Sequence, residues 1–150
     1  MMNISQKCQY AIRALLELSK HHGNSPLKSG DIAARQAVPV RFLEVILNEL
    51  KTSGLVQARR GVRGGFLLAC KPEELTVGKV IRLVDGPFDP VSCTGDGGKT
   101  ACPLREGCSL IELWMRAKNA IETVYDGTTF QDLVDREQVL DRTSVSNYCI

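Results

Sequence analysis

The spacing of apolar residues along the chain predicts a series of short helices interrupted once by a pair of strands. Cys8, Ala11, Ile12, Leu15, Leu16 and Leu18 recur at three- and four-residue intervals. Residues 5–21 therefore read as an amphipathic helix capped by Ser5. The turn HHGNSP ends it. Residues 27–36 are expected as a short second helix with Ile32 and Ala33 inward. After the break Ala37-Val38-Pro39, a third helix is expected over 40–53, with Leu43, Ile46, Leu47 and Leu50 buried and Gly54 stopping it. Residues 55–59 and 65–69 read as strands. A fourth helix follows, capped by Thr76, with Val77, Val80, Ile81 and Val84 as its stripe and Gly86-Pro87 at its end. A long helix over 109–125 carries Leu110, Leu113, Trp114, Ala117, Ala120, Ile121 and Val124 on one side. A last short helix over 129–135, capped by Thr128, and an irregular tail complete the pattern.

Two short helices joined by a tight turn make a helix-turn-helix. A glycine-rich hairpin after it, Arg60-Gly61-Val62-Arg63-Gly64 between the strands, makes the outline of a winged helix. The expected class is mainly α with a small β-hairpin wing, a winged helix-turn-helix domain plus a long dimerisation helix. The expected divisions are a DNA-binding domain over 1–86, a cysteine loop over 87–108, the dimerisation and short C-terminal helices over 109–136, and an irregular tail over 137–150. A chain of 150 residues has little else to bury the stripe at Leu110, Leu113, Trp114, Ala117, Ile121 and Val124. A homodimer covers it; packing within one chain is the alternative.

Charge changes the picture. Residues 1–70 hold ten Lys/Arg against four Asp/Glu, a net of +6, while 71–150 hold nine against thirteen, a net of −4. A basic first half on this scaffold points to double-stranded DNA. Lys28 and Ser29 open the second helix, Arg41 and Glu44 open the third, and Arg59, Arg60 and Arg63 crowd the wing. Arg takes guanine O6/N7 and Glu accepts from cytosine N4. The N-terminal stretch, broken by Lys7, Arg13 and Glu17, has no run fit for a signal peptide or a membrane span, so the expected location is cytoplasmic.

The six cysteines then matter, because in the cytosol they point to metal or redox chemistry rather than structural disulfides. Three of them, Cys93, Cys102 and Cys108, lie in one loop, with gaps of eight and five residues. Gly95, Gly97, Gly98, Gly107 and Pro103 fill much of the space between. Such a loop can turn its thiols inward around an iron–sulfur cluster, which thiolates hold. A redox thiol switch and a zinc loop are the alternatives. Of the remaining cysteines, Cys70 reads as structural. No nucleotide loop, paired catalytic carboxylates or Ser/His/Asp set is present, so an enzyme is not expected. An iron–sulfur electron carrier is the other class considered, and it has no need of a winged helix.

This order of parts resembles the IscR/NsrR-type winged-helix regulators of bacteria, the Rrf-two family. The resemblance is carried by ISQKCQYAIRALLELS, by IAARQAVPVRFLEVILNELKTSGLVQARRGVRGGFLLA, by LTVGKVIRLVDGP, by CPLREGC and by LWMRAKNAIETVYDGTTFQDLV. It implies a homodimer on a palindromic operator and, in many members, a cluster on three loop cysteines. Those match Cys93, Cys102 and Cys108. Glu44 and Arg60 match positions that read bases or grooves in the cluster-assembly regulator. Ile111 stands where that regulator has a histidine, and Gln9 where the nitric-oxide sensor has an acidic ligand from the partner. The fourth-ligand candidates are Cys8, Gln9 and Glu112, with Asp89, Asp96, Cys149 and a small exogenous ligand beside them. A 4Fe–4S cluster is preferred over 2Fe–2S. The family also includes a cluster-free cysteine-metabolism repressor that docks an enzyme, so partner sensing is a further implied alternative.

Overall fold

A computed structural model describes residues 4–95 and 102–146, with side chains of the last helix through residue 143. The described elements are α1 Gln6–Lys20, α2 Ser29–Gln36, α3 Val40–Thr52, β1 Val56–Arg59, β2 Gly65–Leu68, α4 Val77–Val84, α5 Leu110–Asp126 and α6 Phe130–Ser146. No helix among the described residues is long and apolar enough to cross a membrane.

α1 is the post that the others lean on. The Ser5 hydroxyl accepts from the Cys8 amide at 3.0 Å, which satisfies one free donor of the first turn. Cys8, Ala11, Ala14, Leu15 and Leu18 are buried, against α2, α3, α4 and α6. Leu43, Ile46, Leu47 and Leu50 form the buried stripe of α3, as their spacing predicts. Between α2 and α3 the chain turns at Ala37, which adopts the left-handed conformation with φ of 50°. β1 and β2 pair antiparallel, with Val56 opposite Leu68 and Arg59 opposite Gly65.

The second helix begins two residues later than its pattern predicts. Leu27 belongs to the wing instead. Its amide donates to the Phe66 carbonyl at 3.0 Å and its carbonyl accepts from the Phe66 amide at 2.7 Å, a bridge that extends the hairpin. Gly65 makes this possible: a Cβ there would lie 2.4 Å from the Leu27 carbonyl oxygen.

The last helix is longer than predicted and capped one residue later. Thr129, not Thr128, is the cap. Its hydroxyl accepts from the Asp132 amide at 3.1 Å, and Asp132 accepts from the Thr129 amide at 2.8 Å, a reciprocal box. The Thr128 hydroxyl instead donates to the Val124 carbonyl at the end of α5. α6 continues to Ser146, through much of the segment expected to be irregular. Phe130 and Val134 anchor it in the core, and the Lys20–Glu137 ion pair at 3.0 Å ties its middle to α1.

α5 packs on α4 and on the 3-10 turn Ser92–Thr94, yet none of its residues is fully buried. Asp126 forms a two-pronged ion pair with Arg82 of α4 beside Gly78. A Cβ at Gly78 would fall 1.9 Å from the Asp126 Oδ1. Gly78→Ala is therefore expected to cost about 1–3 kcal/mol by overpacking, measured by urea unfolding.

Candidate nucleic-acid interface and cysteine loop

The first turns of α2 and α3 meet on one surface. The Ser29 hydroxyl donates to Glu44 Oε1 at 3.3 Å, so the structure joins two of the residues proposed from sequence to touch DNA. Lys28 precedes α2 in extended conformation, and Arg41 stands exposed in the first turn of α3. Beyond the hairpin, the Gly64 amide donates to the Gly61 carbonyl at 2.9 Å and closes the wing tip. Gly61 has φ of +108° there, and a Cβ on Gly64 would lie 2.3 Å from the Arg59 carbonyl oxygen. The tight tip holds Arg59, Arg60 and Arg63 outward. Among the described residues, none of the three pairs with a carboxylate. They share a groove of about 700 Å³ with Arg35, His21 and the turn Gly23-Asn24-Ser25-Pro26.

Behind this surface lies a charged cluster that the sequence pattern did not reveal. Glu17 is 2% exposed, although it is a carboxylate near the end of α1 and off the Cys8, Ala11, Leu15 and Leu18 stripe. It accepts from Gln36 Nε2 at 2.7 Å, Lys20 Nζ at 2.8 Å and Arg35 Nη1 at 3.1 Å. Burial alone pushes its carboxyl up, but these hydrogen bonds outweigh burial and hold it below the usual carboxylate range. The Arg35 guanidinium also reaches His21 Nε2 at 2.9 Å, and His21 Nδ1 lies 3.0 Å from the Glu17 carbonyl. The cluster fixes α2 to the end of α1, and so sets where the first turns of α2 and α3 stand. Position 17 lies off the Cys8, Ala11, Leu15 and Leu18 stripe of α1, so the repeat itself carried no signal for a buried carboxylate there.

The cysteine loop is described at both ends. Cys93 lies in the turn Ser92–Thr94, and Cys102 and Cys108 flank the 3-10 turn Arg105–Gly107. All three thiols are free and half-buried. Arg105 binds all three residues through the backbone. Its Nη1 donates to the Cys93 carbonyl at 2.9 Å, its amide donates to the Cys102 carbonyl at 3.3 Å, and its carbonyl accepts from the Cys108 amide at 3.4 Å. The first residues of the loop are fixed to α5 by Lys118 Nζ on Asp89 Oδ1 at 2.8 Å and by the Phe88 and Tyr125 rings at 5.2 Å. Among the described residues, no three His, Cys, Asp or Glu side chains converge on a point that would hold a single metal ion.

The fourth-ligand candidates have different surroundings. Cys8 is fully buried in the core, and its thiol is pushed up to about 12 by burial and then by Asp85. Asp85 also accepts from the Ser5 amide at 2.9 Å, linking α4 to the start of α1. Gln9 is exposed and donates to the Ile4 carbonyl. Glu112 is exposed in the first turn of α5. Asp89 is engaged by Lys118, while Asp96 and Cys149 lie outside the described residues. A thiol with so high a pKa and no exposure gives no thiolate near neutral pH. In metal-free native protein at pH 7.5, iodoacetamide is expected to label Cys93, Cys102 and Cys108 but to reach Cys8 only on unfolding. Peptide mass mapping checks this.

The model of the Rrf2 family, described as an iron-dependent transcriptional regulator, matches residues 4–136. The chain belongs to the Rrf2 family. As a member it is a DNA-binding transcriptional regulator, and its relatives are regulators rather than enzymes. It is 35% identical over 132 residues to the HTH-type transcriptional regulator CymR of Bacillus subtilis (strain 168), covering 88% of this chain and 89% of that protein. It is also 35% identical over 147 residues to the HTH-type transcriptional regulator IscR of Aliivibrio salmonicida (strain LFI1238), covering 96% and 86%. The solved structure of CymR, the global cysteine regulator of B. subtilis, superposes with a TM-score of 0.75 at 34% identity over 91% of this chain and 98% of that one. The winged-helix architecture predicted from sequence is the fold found.

Proposed function

We propose that this Rrf2 protein is a homodimeric regulator whose affinity for its operator is set by an iron–sulfur cluster on Cys93, Cys102 and Cys108. One observation carries the reading: a single residue, Arg105, hydrogen-bonds the backbones of all three cysteines. The donor set fits the group, since it is sulfur only, reduced and half-buried. A 4Fe–4S cluster takes each thiolate on a different iron, so the three sulfurs need not converge on one ion. With three protein thiolates, a 4Fe–4S cluster leaves one iron for Gln9, Glu112 or a small molecule, since Cys8 is sealed in the core. The bound cluster would supply electron exchange and iron open to attack.

The chain's own residues carry a change in the loop onward. Arg105 joins the two ends of the loop, Asp89–Lys118 and Phe88–Tyr125 join it to α5, Arg82–Asp126 joins α5 to α4, and Asp85–Ser5 joins α4 to α1. α5 presents Leu110, Leu113 and Val124 at 52, 50 and 64% exposure, with half-buried Trp114, Ala117 and Ile121 on the same side. A second copy on that side would couple loop conformation to the separation of two recognition helices. On the DNA side, Lys28, Ser29, Arg41 and Glu44 would face one groove and Arg59, Arg60 and Arg63 a flanking one. The divisions 1–86, 87–108 and 109–136 follow these roles.

Protein purified without oxygen is expected to show a broad absorbance band near ~400 nm, with matching iron and sulfide per chain. Cys102→Ala is expected to lose both. Full iron and sulfide in Cys102→Ala would remove the ligand assignment. A second reading, a cluster-free thiol-redox or partner-sensing regulator of the same fold, is favoured by the likeness to CymR. Wild-type protein that stays colourless after reconstitution, yet binds DNA, would select it.

A further inference from the structure

Three apolar side chains stand in water on the helix that faces DNA. Val40, Phe42 and Val45 of α3 are 44, 64 and 58% exposed, whereas Leu43, Ile46 and Leu47 between and after them are buried. The core has no use for the exposed set. They occupy the first half of α3, interleaved with Arg41 and Glu44, and Glu44 is hydrogen-bonded to Ser29 at the start of α2. The first turns of a recognition helix are the part that reaches base edges in the major groove. Only one base presents an apolar group there, thymine with its C5-methyl, and a phenyl ring is a suitable contact for it.

We infer that Phe42, with Val45 beside it, reads thymine methyl groups in the operator, adding apolar contacts to the hydrogen bonds offered by Arg41 and Glu44. The inference rests on α3 being the recognition helix. Phe42 and Val45 are three residues apart and so share one side of the helix. Their separation along the axis, about 4.5 Å, is close to the 3.4 Å between successive base pairs. The pair therefore addresses adjacent base pairs. A duplex is the occupant that suits this surface: Phe42 and Val45 alternate along α3 with Arg41 and Glu44, Val45 borders an open groove that also holds Lys7, Asn48 and Thr52, and the wing arginines lack carboxylate partners among the described residues. An apolar protein partner would leave those charges unmatched.

The test starts from a half-site selected by the wild-type protein out of random duplexes. Each thymine is then replaced in turn by deoxyuridine, which removes the methyl and keeps every hydrogen bond. Binding is followed by fluorescence anisotropy at constant salt. One or two adjacent substitutions are expected to weaken wild-type binding about fourfold each, the worth of one buried methyl. Phe42→Ala is expected to bind the thymine duplex more weakly and to lose the response to deoxyuridine at one position. Val45→Ala is expected to lose it at the neighbouring position, and serves as the test should Phe42→Ala not fold. Arg41→Ala is expected to bind more weakly yet keep both responses. Indifference of the wild type to every deoxyuridine overturns the inference. So does an undiminished response in both Phe42→Ala and Val45→Ala, which would assign the patch to a protein partner. Equal wild-type binding to selected and scrambled duplexes would remove the recognition-helix assignment itself.

Discussion

Alanine at Arg59, Arg60 and Arg63 together is expected to weaken operator binding by about two to three orders of magnitude at physiological salt. Each lost phosphate contact lowers the salt slope by ~0.9, and near 0.1 M salt each such unit is worth close to tenfold. The side chains are exposed and, among the described residues, unpaired with carboxylates, so their removal leaves the fold nearly untouched. The tip that presents them is closed by backbone alone, between Gly61 and Gly64. The loss is therefore one of binding. Anisotropy titrations over a range of salt separate the possibilities. The expected result is a slope shallower by nearly three with an unchanged melting temperature. A fall in affinity at constant slope would mean that the arginines do not meet phosphates.

Glu17→Ala is expected to cost about 2–3 kcal/mol of folding stability, and the cost is expected to depend on pH. The carboxylate is buried and accepts three hydrogen bonds from Lys20, Arg35 and Gln36. Removing it strands those donors, although Lys20 and Arg35 can turn toward water, which keeps the cost below that of a fully enclosed pair. The sign of the pH dependence follows from its lowered pKa. A carboxyl depressed in the folded state stabilises the fold above its unfolded pKa, near ~4.3, and the contribution is lost as pH falls through the folded value. Urea unfolding of wild type and Glu17→Gln is the check. The stability gap should be widest at neutral pH and close as the pH drops below ~4. A gap that stays constant with pH would mean that the Glu17 charge does not support the fold.

The helices and wing were legible because their signals are local. The α3 stripe and the Thr76 cap depend on neighbours within one turn, and glycine at the wing tip announces a backbone that bends. Leu27 was misread because its role is set by Phe66, thirty-nine positions away, and Gly65 admits its backbone. α6 was read short because a mostly polar helix carries little periodicity. Its stability comes from Phe130, Val134 and the Lys20–Glu137 pair, none of which speaks in sequence. For the site, the cysteines and arginines stood out by residue type and spacing. Glu17 and the role of Arg105 did not, because each acts through contacts between separate elements. Phe42 lies outside the buried stripe already in the sequence pattern, but a lone apolar residue at an exposed position carries no signal for what it meets.

The most direct test of cluster control is operator affinity measured on one anaerobic preparation, before and after the iron and sulfide are stripped by a chelator and an oxidant followed by re-reduction of the thiols. The expected result is a change of at least fivefold, the lower end of ordinary coupling between sites. Cys102→Ala should then behave as the stripped form whether or not iron is offered. Equal affinities for the loaded and stripped protein would contradict control by the cluster and leave the DNA-binding fold without this switch.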